Sequence, residues 1–221
     1  MEDYLRTAAA IAYKDLVVEL RTRETLVAGS VLALLIVAIF AFALELAPAT
    51  ARDVAPGLLW TTLAFAGVLT FGRLFGPERD RGSLDGLLLA PADPSALYVG
   101  KMASALLFML LVLVVTLPAL AALTGAPLLT AAVVPVALLG LLGLAAAGTL
   151  FAALALSGRA RDVLLPILFL PLSIPVVLTA TGATRLIAQG QPSGPALGVL
   201  AACDALYIAA STLLFPYIVE E

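Results

Sequence analysis

The sequence predicts an all-α membrane protein with six transmembrane helices preceded by an amphipathic interfacial helix. Three observations lead to this fold class. Hydrophobic residues make up 62% of the 221 residues and charged residues 12%, about half of the roughly 25% that is usual in soluble domains. Long stretches carry no charge, and the basic residues cluster between alternate pairs of these stretches. Polar residues are too few to cover a soluble globule, which excludes a water-soluble enzyme and a disordered chain.

The chain lacks the residues of most catalytic and metal sites. It contains no histidine and one cysteine, Cys203, which excludes the commonest general base, an intrachain disulfide and a thiolate metal cluster. A formal net charge of -3 provides no basic surface for nucleic acid. We therefore expect no catalytic residues, no nucleotide site, and no metal or cofactor bound by this chain. The many charges before residue 25 also predict that no cleavable signal peptide is present.

Residues 1–24 are predicted to form an N-terminal amphipathic helix lying in the membrane plane. Apolar residues recur there at helical spacing, and the charges fall largely on the opposite side. The apolar positions are Tyr4, Leu5, Ala8, Ile11, Ala12, Leu16 and Leu20. A solvated helical tail is the alternative, which is less favoured because the chain has no soluble domain on which such a helix could pack.

Residues 25–219 form the predicted transmembrane domain. Charge-free stretches mark its spans because a charged side chain at the bilayer centre costs about 2.5–3.5 kcal/mol. The charge-free stretch 102–158 would be about 85 Å long as a single helix, so it must turn back, and the turn sequence Thr-Gly-Ala-Pro at 124–127 is the best place. The six predicted spans cover about 25–47, 54–75, 101–123, 128–157, 163–184 and 195–219.

The basic residues predict how the spans are oriented. Ten of the twelve Lys and Arg residues fall on one side of this arrangement, and only Arg52 and Arg185 fall on the other. Because short cytoplasmic loops retain Lys and Arg, both termini are predicted to be cytoplasmic.

Small residues spaced four apart predict close contacts between helices, since they let two backbones approach each other in lipid. One such pair is Gly143 and Ala147 in the fourth span. Two further series lie in the sixth span: Gly194, Gly198 and Ala202, and Ala201, Ala205 and Ala209. Alanine is abundant throughout the chain, so chance spacing is an alternative explanation.

Two features inside the spans are candidates for an intramembrane functional site. Asp204 interrupts the sixth span, and charged residues at such positions are rare and often functional. It shares a helix face with Ala201, Ala205 and Ser211, so we expect it to point into the bundle. A hydrogen bond from Ser, Thr or a freed backbone group to Asp204 is the structural alternative. The second feature is a set of prolines in the fifth span, which remove helical N–H donors and predict a kink or local unwinding. These prolines are Pro166, Pro171 and Pro175, of which Pro171 and Pro175 are the functional candidates.

The segment 76–100 is the only long polar segment in the chain, and it is predicted to be a coupling loop on the cytoplasmic side. Ser83 is a good N-cap residue and Pro91 ends the element, so a short helix is expected between them. Asp93 and Pro94 then resemble a second N-cap with proline at the first helical position, where the helix of the third span is expected to start. The candidate docking residues are Glu78, Arg79, Asp80, Arg81, Gly82, Ser83, Leu84, Asp85, Leu87 and Leu88. Leucines on one face of this helix suit the binding of a soluble partner, and a solvated connecting loop is an equally open interpretation.

The chain resembles the CcmB family, the permease subunits of the heme exporter of bacterial cytochrome c maturation. The resemblance is carried by 55–60 (Ala-Pro-Gly-Leu-Leu-Trp), by 71–75 and 78–91, and by Leu-Pro-Leu-Ser-Ile-Pro at 170–175. It covers essentially the whole chain. The family more often has Glu at the position of Asp85, a departure that preserves the charge.

The resemblance implies an ABC-2-type permease architecture in a bacterial inner membrane. It implies a homodimer that binds a cytoplasmic ABC ATPase subunit, which carries the ATP. It also implies association with a heme-handling membrane protein, a small accessory membrane protein and a periplasmic heme chaperone, with heme as a transient substrate. Docking of 78–88 on the ATPase would couple ATP hydrolysis either to movement of heme across the bilayer or to release of the loaded chaperone.

Other functions stay open at this point. An ABC-2-type permease for a lipid, drug or polysaccharide would have a similar sequence pattern. A scaffold that organises the heme-handling protein without moving is a second alternative. A membrane-embedded enzyme is the third, and the lack of a polar catalytic cluster argues against it.

Overall fold

A computed structural model describes residues 2–43, 48–76, 78, 94–155 and 161–219. Within these ranges the chain forms seven α-helices, and no strand is present among them. They are α1 (Glu2–Thr22), α2 (Glu24–Ala43), α3 (Pro48–Arg73), α4 (Pro94–Thr124), α5 (Val133–Leu154), α6 (Arg161–Ala188) and α7 (Gly194–Val219). The six helices α2 to α7 are long and apolar enough to cross a membrane, as the charge-free stretches predict.

Helix α4 starts at Pro94, the proline predicted at the first helical position. The last part of the predicted coupling loop 76–100 is therefore helical, and the third candidate span begins before its predicted bound at 101. Lys101, which was placed at the boundary of the span, lies inside the helix and is fully buried. At 31 residues, α4 is about 46 Å long, which exceeds the roughly 30 Å of a hydrocarbon core. The helix is therefore long enough to extend beyond the core.

Helix α5 lies at the centre of the bundle, where it packs against α3, α4, α6 and α7. Two glycines of α5 let α3 come close. A Cβ atom at Gly140 would lie 2.3 Å from the Trp60 ring, and one at Gly148 would lie 2.3 Å from the Phe71 ring. Both aromatic side chains are almost completely buried. Close packing of α3 on α5 therefore depends on the absence of side chains at these two positions.

Two short connections fix neighbouring helices. The predicted turn at 124–127 is confirmed: α4 ends at Thr124 and Gly125 has a φ of 64°, a conformation that glycine adopts at little cost. Helices α1 and α2 are separated by a single residue, Arg23, which has a φ of 58°. This left-handed conformation costs a non-glycine residue roughly 1–2 kcal/mol, so other contacts must hold the turn.

The small-residue pattern makes contacts inside the bundle in only one of its predicted places. Gly143 and Ala147 are buried in α5, as predicted. The two series in α7 are instead exposed on the outside of this chain, so the prediction of contacts within the bundle is wrong for them. Exposed positions in α7 are Gly194, Gly198, Ala201, Ala202, Ala205 and Ala209.

Helix α6 is continuous through its three prolines, so of the two predicted outcomes local unwinding does not occur, and a kink stays a prediction. Hydroxyl groups supply hydrogen bonds to backbone carbonyls in the same stretch. Ser173 Oγ donates to the Leu170 carbonyl at 2.7 Å, and the Tyr207 hydroxyl of α7 donates to the Leu172 carbonyl at 2.8 Å. These carbonyls are not the ones freed by the prolines, which lie four residues before each proline, at 162, 167 and 171.

Candidate functional site

Four charged side chains meet at the end of the bundle where α1 packs, and we call them the charge cluster: Lys14, Asp15, Glu78 and Lys101. Lys101 lies at the centre with an exposed fraction of 0%. Its Nζ atom lies 3.0 Å from Asp15 Oδ2, 2.8 Å from Glu78 Oε1 and 2.9 Å from the Leu74 carbonyl oxygen, to which it donates. A buried ammonium group with three donors is satisfied by three oxygen acceptors.

Lys14 supplies the second cation of the charge cluster. Its Nζ atom lies 3.1 Å from Asp15 Oδ1 and donates to Glu78 Oε1. Ser104 Oγ donates to Asp15 Oδ2 at 3.1 Å, and the Lys101 ammonium lies 5.1 Å from the centre of the Phe75 ring. Two cations and two carboxylates balance, so the charge cluster is neutral as a whole. Pairing of this kind is what allows charges to be buried.

The neighbouring charges shift the pKa values of the cluster members that lie outside the spans. Burial alone would raise the pKa of Glu78, but the charge of Lys101 and hydrogen bonds from Lys101 and Lys14 lower it below its ordinary value. Burial would lower the pKa of Lys14, but the hydrogen bond to Glu78 and the charge of Asp15 raise it. Both shifts favour the charged forms at neutral pH.

The face that helix α1 presents to the bundle carries both apolar and charged residues. Its buried side chains are Ala8, Ile11, Asp15 and Glu19, so two carboxylates point inward. Two residues of the predicted apolar set are thus buried, whereas Leu5 is exposed to 60% and Leu20 to 52%. Helix α1 packs against the beginning of α4, a helix of the membrane domain.

Contacts at three levels align α1 with the first turns of α4. Ser95 Oγ donates to the Tyr4 hydroxyl at 3.3 Å, and Asp15 accepts from Ser104 further along both helices. Between these levels, a Cβ atom at Gly100 would lie 2.8 Å from the Ala8 carbonyl oxygen. Glycine at this position therefore lets the two backbones approach.

The buried carboxylate of Glu19 joins α1 to α2. Its Oε1 atom accepts a hydrogen bond from the Leu26 backbone N–H at 2.8 Å. Leu26 belongs to the first turn of α2, where backbone N–H groups have no partner within the helix. Glu19 thus acts as a cap for the next helix, and this contact helps to hold the left-handed turn at Arg23.

Of the ten predicted docking residues, the structure describes Glu78 alone. Glu78 is almost fully buried in the charge cluster, whereas the sequence placed it on the rim of a docking surface. The other nine lie outside the described residues. They are Arg79, Asp80, Arg81, Gly82, Ser83, Leu84, Asp85, Leu87 and Leu88.

Asp204 points into the bundle, as predicted, with an exposed fraction of 3%. Ser211 is buried on the same side, but Ala201 and Ala205 are exposed, so the predicted shared face is only partly correct. No described residue makes a hydrogen bond to either carboxylate oxygen, and the hydrogen-bonded alternative is therefore not met in this part of the chain. A Cβ atom at Gly143 of α5 would lie 2.5 Å from Asp204 Oδ1.

The structure does not gather the intramembrane candidates into one site. Pro171 and Pro175 lie on an exposed face of α6, whereas Asp204 is buried. Within the described ranges, no group of three or more His, Cys, Asp or Glu residues could hold a metal ion. The described part of the chain thus assembles one cluster of charged groups, and these groups join segments of the fold.

Sequence reasoning missed three members of the charge cluster: Lys14, Asp15 and Lys101. One signal could have identified them. Lys101 stands in a run that is otherwise uncharged from Leu97 to Leu123, and a charge in such a run needs a partner. Asp15 lies seven residues, or about two helical turns, after the buried Ala8, and it was therefore the carboxylate on the face of α1 that packs on the bundle.

The fold and the charge cluster define the class of the protein: a multi-pass α-helical membrane protein with a cluster of paired, buried charges at one end of the bundle. The profile of the CcmB family, described as CcmB protein, matches residues 6–220. The chain therefore belongs to the CcmB family, a family of transporter membrane components, and the resemblance found in the sequence is confirmed.

Curated relatives agree with this assignment. Heme exporter protein B of Pseudomonas aeruginosa is 33% identical over 176 residues, which cover 78% of each chain. Heme exporter protein B of Haemophilus influenzae is 30% identical over 81% of this chain and 80% of the relative. The protein of the same name from Bradyrhizobium diazoefficiens is 29% identical over 84% of each chain.

Proposed function

We propose that this chain is the membrane permease subunit of an ABC transporter complex for heme export and delivery in cytochrome c maturation. The observation that carries the proposal is the family match over residues 6–220. The six candidate spans support an ABC-2-type permease architecture. We place the protein in a bacterial inner membrane with both termini in the cytoplasm, since ten of the twelve basic residues then face the cytoplasm.

The proposed complex obtains its energy from a partner. A cytoplasmic ABC ATPase subunit binds and hydrolyses ATP, and the segment 76–100 docks on it through Leu84, Leu87 and Leu88. The charge cluster supports a mechanical role for this segment. Glu78, at its beginning, is bonded to Lys101, just after its end. A push on the docked segment would therefore move the ends of α3 and α4 together.

Heme is the proposed substrate and is bound only transiently. The chain has no histidine, so it cannot supply the commonest proximal ligand of heme iron. A heme-handling membrane protein, a small accessory membrane protein and a periplasmic heme chaperone complete the proposed assembly, in which this permease forms a homodimer. ATP hydrolysis on the partner would drive release of the heme-loaded chaperone.

The docking role is tested by Leu87→Asp, which places a charge on the proposed apolar docking face. We expect the variant to insert in the membrane at the native level but to lose co-purification with the ATPase. The matched control is Leu129→Asp, the same change at a 64% exposed leucine in the connection between α4 and α5, at the opposite end of the bundle. Full recovery of the ATPase with Leu87→Asp would show that the docking surface is misassigned.

A second measurement separates a driven permease from a static scaffold. The rate of ATP hydrolysis by the partner should change when the permease is present, because the ATPase must then move a mechanically coupled subunit. Equal ATPase rates with and without the permease, in membranes of the same lipid composition, would favour the scaffold.

A further inference from the structure

We propose that α1 is a moving part of the transporter, because the charge cluster joins it to both ends of the segment between α3 and α4. This inference rests on the proposed function, in which a partner ATPase displaces that segment. It adds α1 to α3 and α4 as a third route by which this displacement reaches the membrane spans. Displacement at Glu78 and Lys101 would reach α1 through Asp15 and Lys14, and would then reach α2.

The charge cluster is suited to be a rigid joint. Lys101 bonds to carboxylates from two different segments, Asp15 of α1 and Glu78, which lies five residues after the end of α3. The exposed fraction of Asp15 is 8% and that of Glu78 is 3%. Moving α4 alone would leave Lys101 without a carboxylate, and moving the segment that carries Glu78 alone would leave Glu78 without a cation, which is strongly unfavourable in a low-dielectric environment. Moving α1 alone would break the contacts of Asp15 with Lys101 and of Lys14 with Glu78. The three segments therefore move together more easily than they separate.

Packing beside the charge cluster supports the same conclusion. The close approach of Ala8 and Ile11 to Gly100 and the Tyr4–Ser95 hydrogen bond extend the contact between α1 and α4 beyond the charges. A helix held at several levels along its length cannot easily pivot about one of them. Helix α1 and the first turns of α4 thus form one unit.

The route continues from α1 into α2. Only Arg23 separates the two helices, and Glu19 of α1 holds the Leu26 N–H in the first turn of α2. A one-residue connection with a carboxylate cap leaves little freedom for α1 to move without α2. The first membrane span is therefore driven together with the spans that flank the docking segment.

The test removes the α1 half of the charge cluster and keeps its charge balance. Lys14→Met/Asp15→Leu takes away one cation and one anion and leaves the Glu78–Lys101 pair in place. The matched control is Asp3→Leu/Arg6→Met, which makes the same two kinds of change on the exposed side of α1. Each variant is expressed in the complete complex, and co-purification of the ATPase is measured together with ATP-dependent cytochrome c output.

We expect Lys14→Met/Asp15→Leu to retain the ATPase at the native level and to lose at least fivefold in cytochrome c output, while the control stays within twofold of native. Native output from the variant with normal assembly would overturn the inference and leave the proposed function intact. Loss of the ATPase from the variant alone would also overturn it, since α1 would then serve docking. Failure of the unmodified chain to co-purify with the ATPase would overturn both.

A reversible cross-link between α1 and α4 tests the inference in a second way, which does not require the charge variant to fold. Tyr4→Cys/Ser95→Cys is made in a Cys203→Ala background, which removes the only native thiol, and is bridged by a short bifunctional thiosulfonate reagent. Because α1 and α4 move together in this mechanism, bridging should leave output within twofold of the unbridged protein. In a folded Lys14→Met/Asp15→Leu chain it should restore output. Loss of output on bridging that is reversed by a reductant would show that α1 must separate from α4, and would overturn the inference.

Discussion

The contact between α3 and α5 allows one sharp prediction about stability. A Cβ atom at Gly148 would lie 2.3, 2.4 and 2.4 Å from three atoms of the Phe71 ring, whereas carbon atoms pack at about 3.5–4.0 Å. The ring would have to retreat by about 1.2 Å, the difference between 3.5 Å and 2.3 Å. It has no room to do so, because Phe71 is 1% exposed and packs on Phe169 with 5.0 Å between ring centroids.

The expected cost of Gly148→Ala follows from this geometry. Overpacking of a core costs about 1–3 kcal/mol, and three close contacts with a confined ring place this site at the upper end. Replacing glycine by alanine within a helix also stabilises the folded state by about 1 kcal/mol. The free energy of unfolding should therefore fall by about 1–2 kcal/mol, which corresponds to a melting temperature lower by roughly 2–8 °C for a domain of this size.

The assay is thermal unfolding of the detergent-purified protein, followed by the loss of monodisperse material in size-exclusion chromatography. The control is Gly182→Ala, at a helical glycine where an added Cβ meets nothing within 4 Å, and it should be neutral or stabilising. Phe71→Leu should rescue Gly148→Ala, because the smaller side chain makes room. Equal melting temperatures for Gly148→Ala and Gly182→Ala would refute the packing of α3 on α5 described above.

Three further predictions concern single contacts. Thr184→Val removes the acceptor of the Trp60 indole N–H, which lies 2.9 Å away. The free energy of unfolding should therefore fall by about 1–2 kcal/mol, and the fluorescence of the only tryptophan should change. Thr179→Val, whose hydroxyl bonds within its own helix, should leave that fluorescence unchanged. Since the pKa of Glu78 lies below its ordinary 4.5, its stabilising contribution is present above pH 4.5 and is lost as the pH falls through the lower folded value. Melting temperatures measured across this range should show the loss in the native protein, and Glu78→Gln should lack it. Arg23→Gly should raise the unfolding free energy by about 1 kcal/mol by relieving the left-handed backbone, whereas Arg23→Val should lower it in the same denaturation assay.

The spans were predictable because lipid imposes a simple rule. Uncharged stretches of sufficient length must cross the bilayer or be buried, so six stretches gave six helices. The turn after Thr124 was predictable for a related reason, since Gly125, two residues before Pro127, supplies the backbone freedom that a reversal needs. Both predictions depend on local sequence alone.

The position of α1 was not predictable in this way. Helical periodicity treats Asp15 and Glu19 as polar and assigns them to water, but both are buried because partners from elsewhere in the chain satisfy them. The start of α4 at Pro94 was predictable from the proline, but the span was placed from 101 onward because Lys101 was treated as a charge that must face solvent. A pattern along one helix does not show which groups meet it from another helix.

The candidate site was predictable to a similar degree. Glu78 was selected as the edge of a docking surface and lies in the charge cluster, and its docking role stays a prediction. The burial of Asp204 followed from its place in an apolar span, but its surroundings at Gly143 and Val176 depend on how α5, α6 and α7 come together. No periodicity in α7 contains that information.

The charge cluster also has a consequence for how the protein is made. Asp15 and Ser104 are separated by 89 positions, and a ribosome adds residues from the amino terminus at about 5–20 per second. The carboxylate of Asp15 must therefore wait for several seconds, at the membrane surface and in contact with water, until the third span has emerged. The packing of α1 on α4 is thus a late event in biogenesis, and it takes place only once the first half of the bundle has been assembled.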